Sequence, residues 1–226
     1  MKTHARVAII GGGIMGVSLL YHLSKEGWND LVLIEKGELT SGSTWHAAGQ
    51  CPHFVGSYNA AKIHNYSNKL YQELEKETGQ STGWHGCGSL RLALKEEDVD
   101  WFYYVKSILD NVGSPAHFIS KEKILDLHPF LKIEDVLCAL HTPEDGHTDP
   151  TGTTNAMAIS ARNFGAEIYR HNRVLEINNL TNGNWELHTE KGKIICEHVV
   201  NAAGSFGVEV GAMVGLNNIP SINMIH

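Results

Sequence analysis

The sequence predicts an α/β protein: a sheet with parallel strands flanked by helices, carried by two separated stretches of chain, with a smaller α+β region between them. Three observations predict it. Val7-Ala8-Ile9-Ile10 runs directly into Gly11-Gly12-Gly13-Ile14-Met15-Gly16, an apolar strand followed by a glycine turn and a helical pattern. Leu31-Val32-Leu33-Ile34 is a second apolar run that ends on Glu35. Far along the chain, Val199-Val200-Asn201-Ala202-Ala203-Gly204 is again an apolar strand closing on small residues.

The elements follow in order. Residues 6–10 form a short buried strand, residues 14–25 a helix stopped by Gly27, and residues 31–35 the second strand, which makes one βαβ unit. Residues 39–60 are rich in Gly, Ser, Ala and His without a period and read as a long loop, which in a compact domain is usually functional. Ile63, Tyr66, Leu70 and Leu74 recur at helical spacing, with Gly79 as the left-handed stop. Leu90, Leu92 and Leu94 alternate with Arg91, Ala93 and Lys95 as a half-buried strand. Val99, Phe102, Val105, Leu109 and Val112 mark an amphipathic helix ending at Gly113. Ser120 caps a short helix through Leu127, halted by Pro129, and residues 136–141 are another strand. After a turn at 143–147 a helix runs from about 153 to 164. Strands follow at 167–170, 173–177, 185–190 and 194–201, with Asn182-Gly183 as a hairpin turn. Gly204 then opens a helix toward Met213, and residues 219–225 read as a last strand.

The expected partition is a nucleotide-binding domain of residues 1–84 and 142–215 and a partial substrate domain of 85–141 and 216–226. An apolar terminal strand without a partner is a liability in a finished domain, so the chain is read as C-terminally truncated.

Composition narrows the function classes. A hydrophobic share of 42% with 19% charged residues describes an ordinary globular protein. The net charge of −7 and the lack of any Lys/Arg run argue against a nucleic-acid binder. Cys51, Cys87, Cys138 and Cys196 have no zinc spacing and read as buried, reduced thiols, and the histidines show no metal-binding pattern. Lys2 and Arg6 before the uncharged residues 7–20 mimic a secretory signal, but glycines interrupt that run and it is too short to span a bilayer. The expected location is the cytoplasm of a bacterium, or the mitochondrial matrix if the source is eukaryotic.

Gly11, Gly13 and Gly16 satisfy G-x-G-x-x-G between strand and helix. The first permits the tight turn, the second lets a pyrophosphate approach the backbone, and the third lets helix and strand pack closely. Glu35 is placed to accept ribose hydroxyls, with Lys36 beside it. This motif alone does not separate FAD from NAD. The strand at 199–204 makes the separation, because its small residues, Ala203 and Gly204, give a cofactor a second backbone approach. Thr44-Trp45-His46-Ala47-Ala48-Gly49, just beyond the acidic end of the βαβ unit, points to a flavin.

With these segments in hand, the chain resembles the D-amino-acid-oxidase-like flavoprotein superfamily, and within it the dimethylglycine/sarcosine dehydrogenase branch. The residues that carry the resemblance are 9–16, 39–49, Gly88-Ser89-Leu90-Arg91-Leu92-Ala93, Asp145-Gly146-His147-Thr148-Asp149-Pro150 and 199–204. The resemblance implies an FAD-binding Rossmann-like domain with an inserted α+β substrate domain. It implies cofactor contacts at Gly11, Gly13, Gly16, Glu35, Lys36, Ser43, Thr44, His46, Val174, Ala203 and Gly204. It implies that His46 is joined through imidazole to the 8α-methyl carbon of FAD, and that His226 is an active-site histidine deprotonating or orienting the substrate amine. The implied reaction is oxidative N-demethylation of a small N-methylated amino acid, dimethylglycine or sarcosine in type, by hydride transfer to the flavin. The electron acceptor stays unnamed, and tetrahydrofolate enters only in longer relatives. No Lys or Arg lies between His46 and Lys62, so the partner of a substrate carboxylate is expected in sequence beyond this chain, with Arg91 a candidate only if its strand lines the cleft. The alternative is a non-catalytic flavin-fold regulatory subunit or an inactive fragment.

Overall fold

The computed structural model describes residues 1–220; residues 221–226 lie outside the described residues, and His226 and most of the expected strand at 219–225 lie with them. Ile219 and Pro220 are not in a strand. In chain order the elements are β1 (His4–Ile10), α1 (Ile14–Lys25), β2 (Leu31–Ile34), β3 (Gln50–Cys51), α2 (Tyr58–Thr78), β4 (Ser89–Ala93) and α3 (Glu96–Val112). They continue with β5 (His117–Ile119), α4 (Lys121–Leu127), β6 (Cys138–Thr142), β7 (Gly146–His147) and α5 (Pro150–Asn163). The last are β8 (Glu167–Tyr169), β9 (Val174–Asn179), β10 (Trp185–Thr189), β11 (Gly192–Asn201) and α6 (Gly207–Ala212). The chain divides into two compact units, one of Met1–Ala48, Leu74–Thr82 and Pro150 onward, the other of Gly49–Glu73 and Gly83–Asp149.

The first unit is built on a six-stranded sheet in the order β8-β2-β1-β11-β10-β9. The strands from β8 to β11 run parallel, and β10 and β9 add an antiparallel hairpin edge. All four residues of β2 are buried, as a strand covered on both faces requires. Ile10 pairs with both Ile34 and Asn201, so β1, β2 and β11 end level with one another. That common carboxyl end is where an open α/β sheet places its ligand. Helix α1 buries Val17, Leu20 and Tyr21 completely, and α5 offers Ala156, Met157, Ala158 and Ala161 in the same core. Each fully buried large side chain of this kind contributes about 1.5–3 kcal/mol. Glu77, near the end of α2, accepts from Tyr21 Oη at 3.3 Å, Lys25 Nζ at 3.1 Å and Ser160 Oγ, tying three helices through one carboxylate.

The second unit holds a three-stranded antiparallel sheet, β4-β6-β5, and the short pair β3-β7. Phe102, Val105 and Leu109 of α3 cluster with Ala61, Ala116 and Leu140, while Leu90 and Leu92 pack with Ile124, Val136 and Ala139. Asp145 gathers the polar interior. Its Oδ1 accepts the backbone N–H and the ring Nδ1–H of His53, each at 2.7 Å, and its Oδ2 accepts Ser89 Oγ at 2.5 Å and Thr142 Oγ1 at 2.6 Å. The Asn68 amide donates to the Cys51 carbonyl at 2.9 Å beside the same imidazole. Burial pushes the Asp145 carboxyl up, but donation from His53, Ser89 and Thr142 outweighs it and holds the group below the usual carboxylate range.

Several expectations need correction. Residues 39–60 are not one loop: a 3-10 turn spans Ser43–His46, β3 follows, and α2 starts at Tyr58. Ile63 and Tyr66 are exposed; α2 buries Leu74 as the spacing implies, but with Ala61 and with Asn68, whose amide has a hydrogen-bond partner inside. Leu94 is exposed past the end of β4. Helix α5 begins at Pro150 rather than near 153, since proline is well suited to a first helical position. The cysteines are free thiols as expected, but Cys87 is exposed and Cys138 half-buried.

Candidate functional site

At the level ends of β1, β2 and β11 the first unit contains a cavity of about 600 Å³, the size range of small-molecule and cofactor sites. Its floor is the glycine loop. Gly11 takes φ +118°, and a Cβ there would collide with the Ala202 backbone. Gly16 does not line the cavity; a Cβ there would strike the Gly11 carbonyl, so this glycine serves the close approach of α1 to the loop. At Gly13, which does line the cavity, an added Cβ would meet only Thr44 Oγ1, at 3.1 Å. The backbone of the loop is therefore open to a ligand from the cavity side, at the N-terminus of α1.

Glu35 stands at the end of β2, 9% exposed. Its Oε2 accepts the Gly12 N–H and its Oε1 the Gly37 N–H, both at 2.7 Å. One carboxylate thus shapes two turns, and each oxygen keeps a lone pair for a hydroxyl in the cavity. Lys36 also lines it, with Nζ 3.0 Å from the centre of the Phe206 ring. The turn Ser43–His46 brings Ser43, Thr44 and His46 to the wall. Thr44 Oγ1 accepts the Ile14 N–H at 3.0 Å, and the Trp45 ring lies 3.8 Å from that of His46. Val174, Ala203 and Gly204 complete the lining on the other side.

So the structure collects Gly11, Gly13, Glu35, Lys36, Ser43, Thr44, His46, Val174, Ala203 and Gly204 around one cavity. Its lining also includes Asn172, Phe206, Met213 and the Arg173–Glu209 ion pair at 3.7 Å, which the sequence reading missed. Asn172 and Arg173 stand just before β9, whereas Phe206, Glu209 and Met213 lie in or at the ends of α6. His226 lies outside the described residues. Arg91 belongs to the second unit, where its guanidinium lies 5.4 Å from the Phe54 ring centre and donates to Ser89 Oγ at 3.5 Å. Among the described residues no group of three His, Cys, Asp or Glu could hold a metal, and no helix is long and apolar enough to cross a membrane.

Comparison with known proteins agrees with this geometry. The family model described as FAD dependent oxidoreductase matches residues 6–224. The mitochondrial dimethylglycine dehydrogenase of Rattus norvegicus is 44% identical over 225 residues, covering 100% of this chain and 26% of that protein. The mitochondrial pyruvate dehydrogenase phosphatase regulatory subunit of Mus musculus is 40% identical over 211 residues, 93% of this chain and 24% of that one. Among solved structures, L-proline dehydrogenase from P. horikoshii superposes with a TM-score of 0.87 at 28% identity, covering 97% of this chain and 58% of that one. The chain therefore spans about a quarter of the length of the curated relatives it matches.

Proposed function

The chain belongs to the FAD-dependent oxidoreductase family, and on that premise we propose that it forms the FAD-holding part of an amine oxidoreductase that removes an N-methyl group from a methylated glycine of the dimethylglycine or sarcosine type. The observation that carries the reading is the single cavity running from the glycine loop past Glu35 to His46. The residues fit the cofactor: an open loop for a diphosphate, a carboxylate for ribose hydroxyls whose charge disfavours a 2′-phosphate, and small residues where a ring system must lie close to backbone. FAD supplies the hydride acceptor for the substrate's N-methyl C–H, and hydrolysis of the product iminium gives formaldehyde, or one-carbon transfer to tetrahydrofolate in longer forms.

The chain's own residues bind, orient and enclose. Gly11 and Gly13 would admit a diphosphate to the N-terminus of α1. Glu35 would accept the ribose hydroxyls. His46, on the turn that lines the cavity, would supply the imidazole nitrogen for a covalent tether to the flavin. His226 prepares the amine by holding its lone pair free of a proton. The expected location is the mitochondrial matrix in a eukaryote or the cytoplasm in a bacterium.

The test is spectroscopic. The purified 226-residue chain incubated with FAD is precipitated with acid. Flavin absorbance that stays with the pellet, and is lost from the pellet in His46→Ala while native protein remains yellow, supports the tether. Colourless native protein overturns the flavin reading. A second reading, a non-catalytic flavin-fold regulatory subunit, is favoured by the 40% identity to the phosphatase regulatory subunit. Bound flavin bleached under anaerobic conditions by dimethylglycine or sarcosine supports the enzyme; flavin that neither amine reduces supports the regulatory reading.

A further inference from the structure

The second unit carries a row of side chains that neither its core nor the flavin reading uses. His147 stands in β7 between two partners, Gln50 of β3 on one side and His85 on the other. His85 and His147 exchange both backbone hydrogen bonds: the His85 N–H donates to the His147 carbonyl at 2.8 Å, and the His147 N–H to the His85 carbonyl at 3.0 Å. Residues directly opposed in antiparallel pairing project their side chains on the same face. Gln50, His147 and His85 therefore stand side by side on one face of a three-segment strip, and all three are exposed.

The opposite face of the strip is closed. Cys51 and Gly146, the next register pair, turn that way, and Cys51 is buried. The Trp84 ring covers Gly146, where a Cβ would come within 2.8 Å of Trp84 Cζ2 and 2.5 Å of the His85 carbonyl. Trp84 thus braces the strip from behind, and backbone pairing alone sets the spacing of the row.

The two imidazoles have the separation that a shared ion needs. Their ring centres lie 5.3 Å apart, with planes inclined by 41°. An imidazole nitrogen binds zinc at about 2.0–2.1 Å, which sets two rings on one tetrahedral ion about 5 Å apart, centre to centre. Among the described residues, no ring nitrogen of His85 or His147 enters a hydrogen bond or an ion pair. The Gln50 carboxamide oxygen is the third donor of the row. No third His, Cys, Asp or Glu among the described residues joins the pair, so solvent completes the shell. Positions 50, 85 and 147 are too far apart in sequence to make a spaced motif, which is why histidine spacing alone shows no site.

We propose that His85 and His147, with Gln50 beside them, bind a divalent transition ion, and that this ion clasps β3, β7 and the segment before β4 together. Two imidazoles and a carboxamide suit copper(II), nickel(II) and zinc(II), with copper(II) held most tightly, and do not suit magnesium. Each imidazole gives a nitrogen lone pair in place of a water on the ion, and the oxidation state of the ion does not change.

The experiment titrates the purified 226-residue chain with copper(II), nickel(II), zinc(II) and magnesium, in a Cys87→Ser background so that the exposed thiol takes no metal. One copper(II) per chain is expected to bind more tightly than nickel(II) or zinc(II), with no magnesium bound. His85→Ala and His147→Ala are each expected to weaken copper(II) about ten-fold or more, the double variant to be little worse than either, and Gln50→Ala to weaken it about three-fold. Electron paramagnetic resonance should show two nitrogen ligands in the parent and fewer in either histidine variant. Acid should release the ion, because protons compete for the same nitrogens. His117→Ala, an exposed histidine on β5, is the control and is expected to bind as the parent does. Affinity and nitrogen ligation that survive in His85→Ala and His147→Ala overturn the inference, as does an equal loss in His117→Ala. Should the variants not fold, one equivalent of zinc(II) must shift the imidazole resonances of His85 and His147 in the parent; unmoved resonances overturn the inference.

Discussion

The Trp45 indole lies against the His46 imidazole, with ring centroids 3.8 Å apart and planes inclined by 34°. Trp45 is 57% exposed, so its ring gains little from burial and acts chiefly on its neighbour. Ring stacking contributes about 0.5–1.5 kcal/mol beyond area. On the proposed His46 tether, Trp45→Ala is expected to slow flavin attachment about 2- to 10-fold, and Trp45→Phe to restore most of the rate. A time course of acid-stable flavin fluorescence measures it, and equal rates in all three proteins would mean that the backbone turn alone aims the imidazole.

The glycines of the loop separate folding from binding. A Cβ on Gly16 has no room against the Gly11 carbonyl, so Gly16→Ala must push α1 away from the loop and cost about 1–3 kcal/mol of stability. Gly13 has φ −78°, and its added Cβ would meet only a movable hydroxyl. Gly13→Ala is expected to leave the urea midpoint within about 0.5 kcal/mol of wild type while weakening ADP sharply. Parallel urea melts and ADP titrations decide the case. A large loss of stability in Gly13→Ala would show that the loop is closed by packing rather than held open for a ligand.

Asp145 makes the second unit acid-sensitive. Its folded carboxyl lies below the ordinary value of 3.8. A depressed value stabilises the fold fully above the unfolded pKa, and that contribution is lost as pH falls through the folded one. Urea midpoints followed from pH 7 downward should thus hold steady to about pH 4.5 in this contribution and fall below it. Asp145→Asn breaks a carboxylate that takes four donors at 2% exposure, at a cost of about 3 kcal/mol at pH 7. The variant should also lose part of the acid dependence; an unchanged slope between pH 4.5 and 2.5 would place the sensitivity elsewhere.

The residues that were readable in sequence are those whose chemistry is local. The run from Val7 to Gly16 and the acidic stop at Glu35 announce a strand, turn, helix and strand within one stretch, and the structure places them as such. Gly79 and Gly113, both at positive φ, end their helices where the spacing implied. What failed depended on partners distant in sequence. Asn68 stands outside the apolar spacing of its helix, and nothing near it in sequence shows the Cys51 carbonyl that takes its amide. Asp145 looked like part of a turn because its donors come from residues 53, 89 and 142. In the cavity, Phe206 and Met213 were missed for the same reason: their apolar character is ordinary until β11 delivers them beside Lys36 and the glycine loop.

The four cysteines give a test of burial that needs no cofactor. Thiolate is the reactive form, so a thiol pushed up in pKa and closed to solvent reacts slowly for two reasons at once. Burial pushes Cys196 up to about 11, and burial together with the charge of Asp145 does the same for Cys51. Burial, helped by Glu96, also raises half-buried Cys138. Cys87 alone is exposed. Ellman's reagent at pH 8 should therefore modify Cys87 first, Cys138 more slowly, and Cys51 and Cys196 only as the protein unfolds. The two buried thiols also report on different units, since Cys51 lies beside the Asp145 cluster and Cys196 in the core of the large sheet. Lowering the stability of the second unit with Asp145→Asn should speed the labelling of Cys51 and leave Cys196 at its wild-type rate. Equal acceleration of both would show that the two units open together.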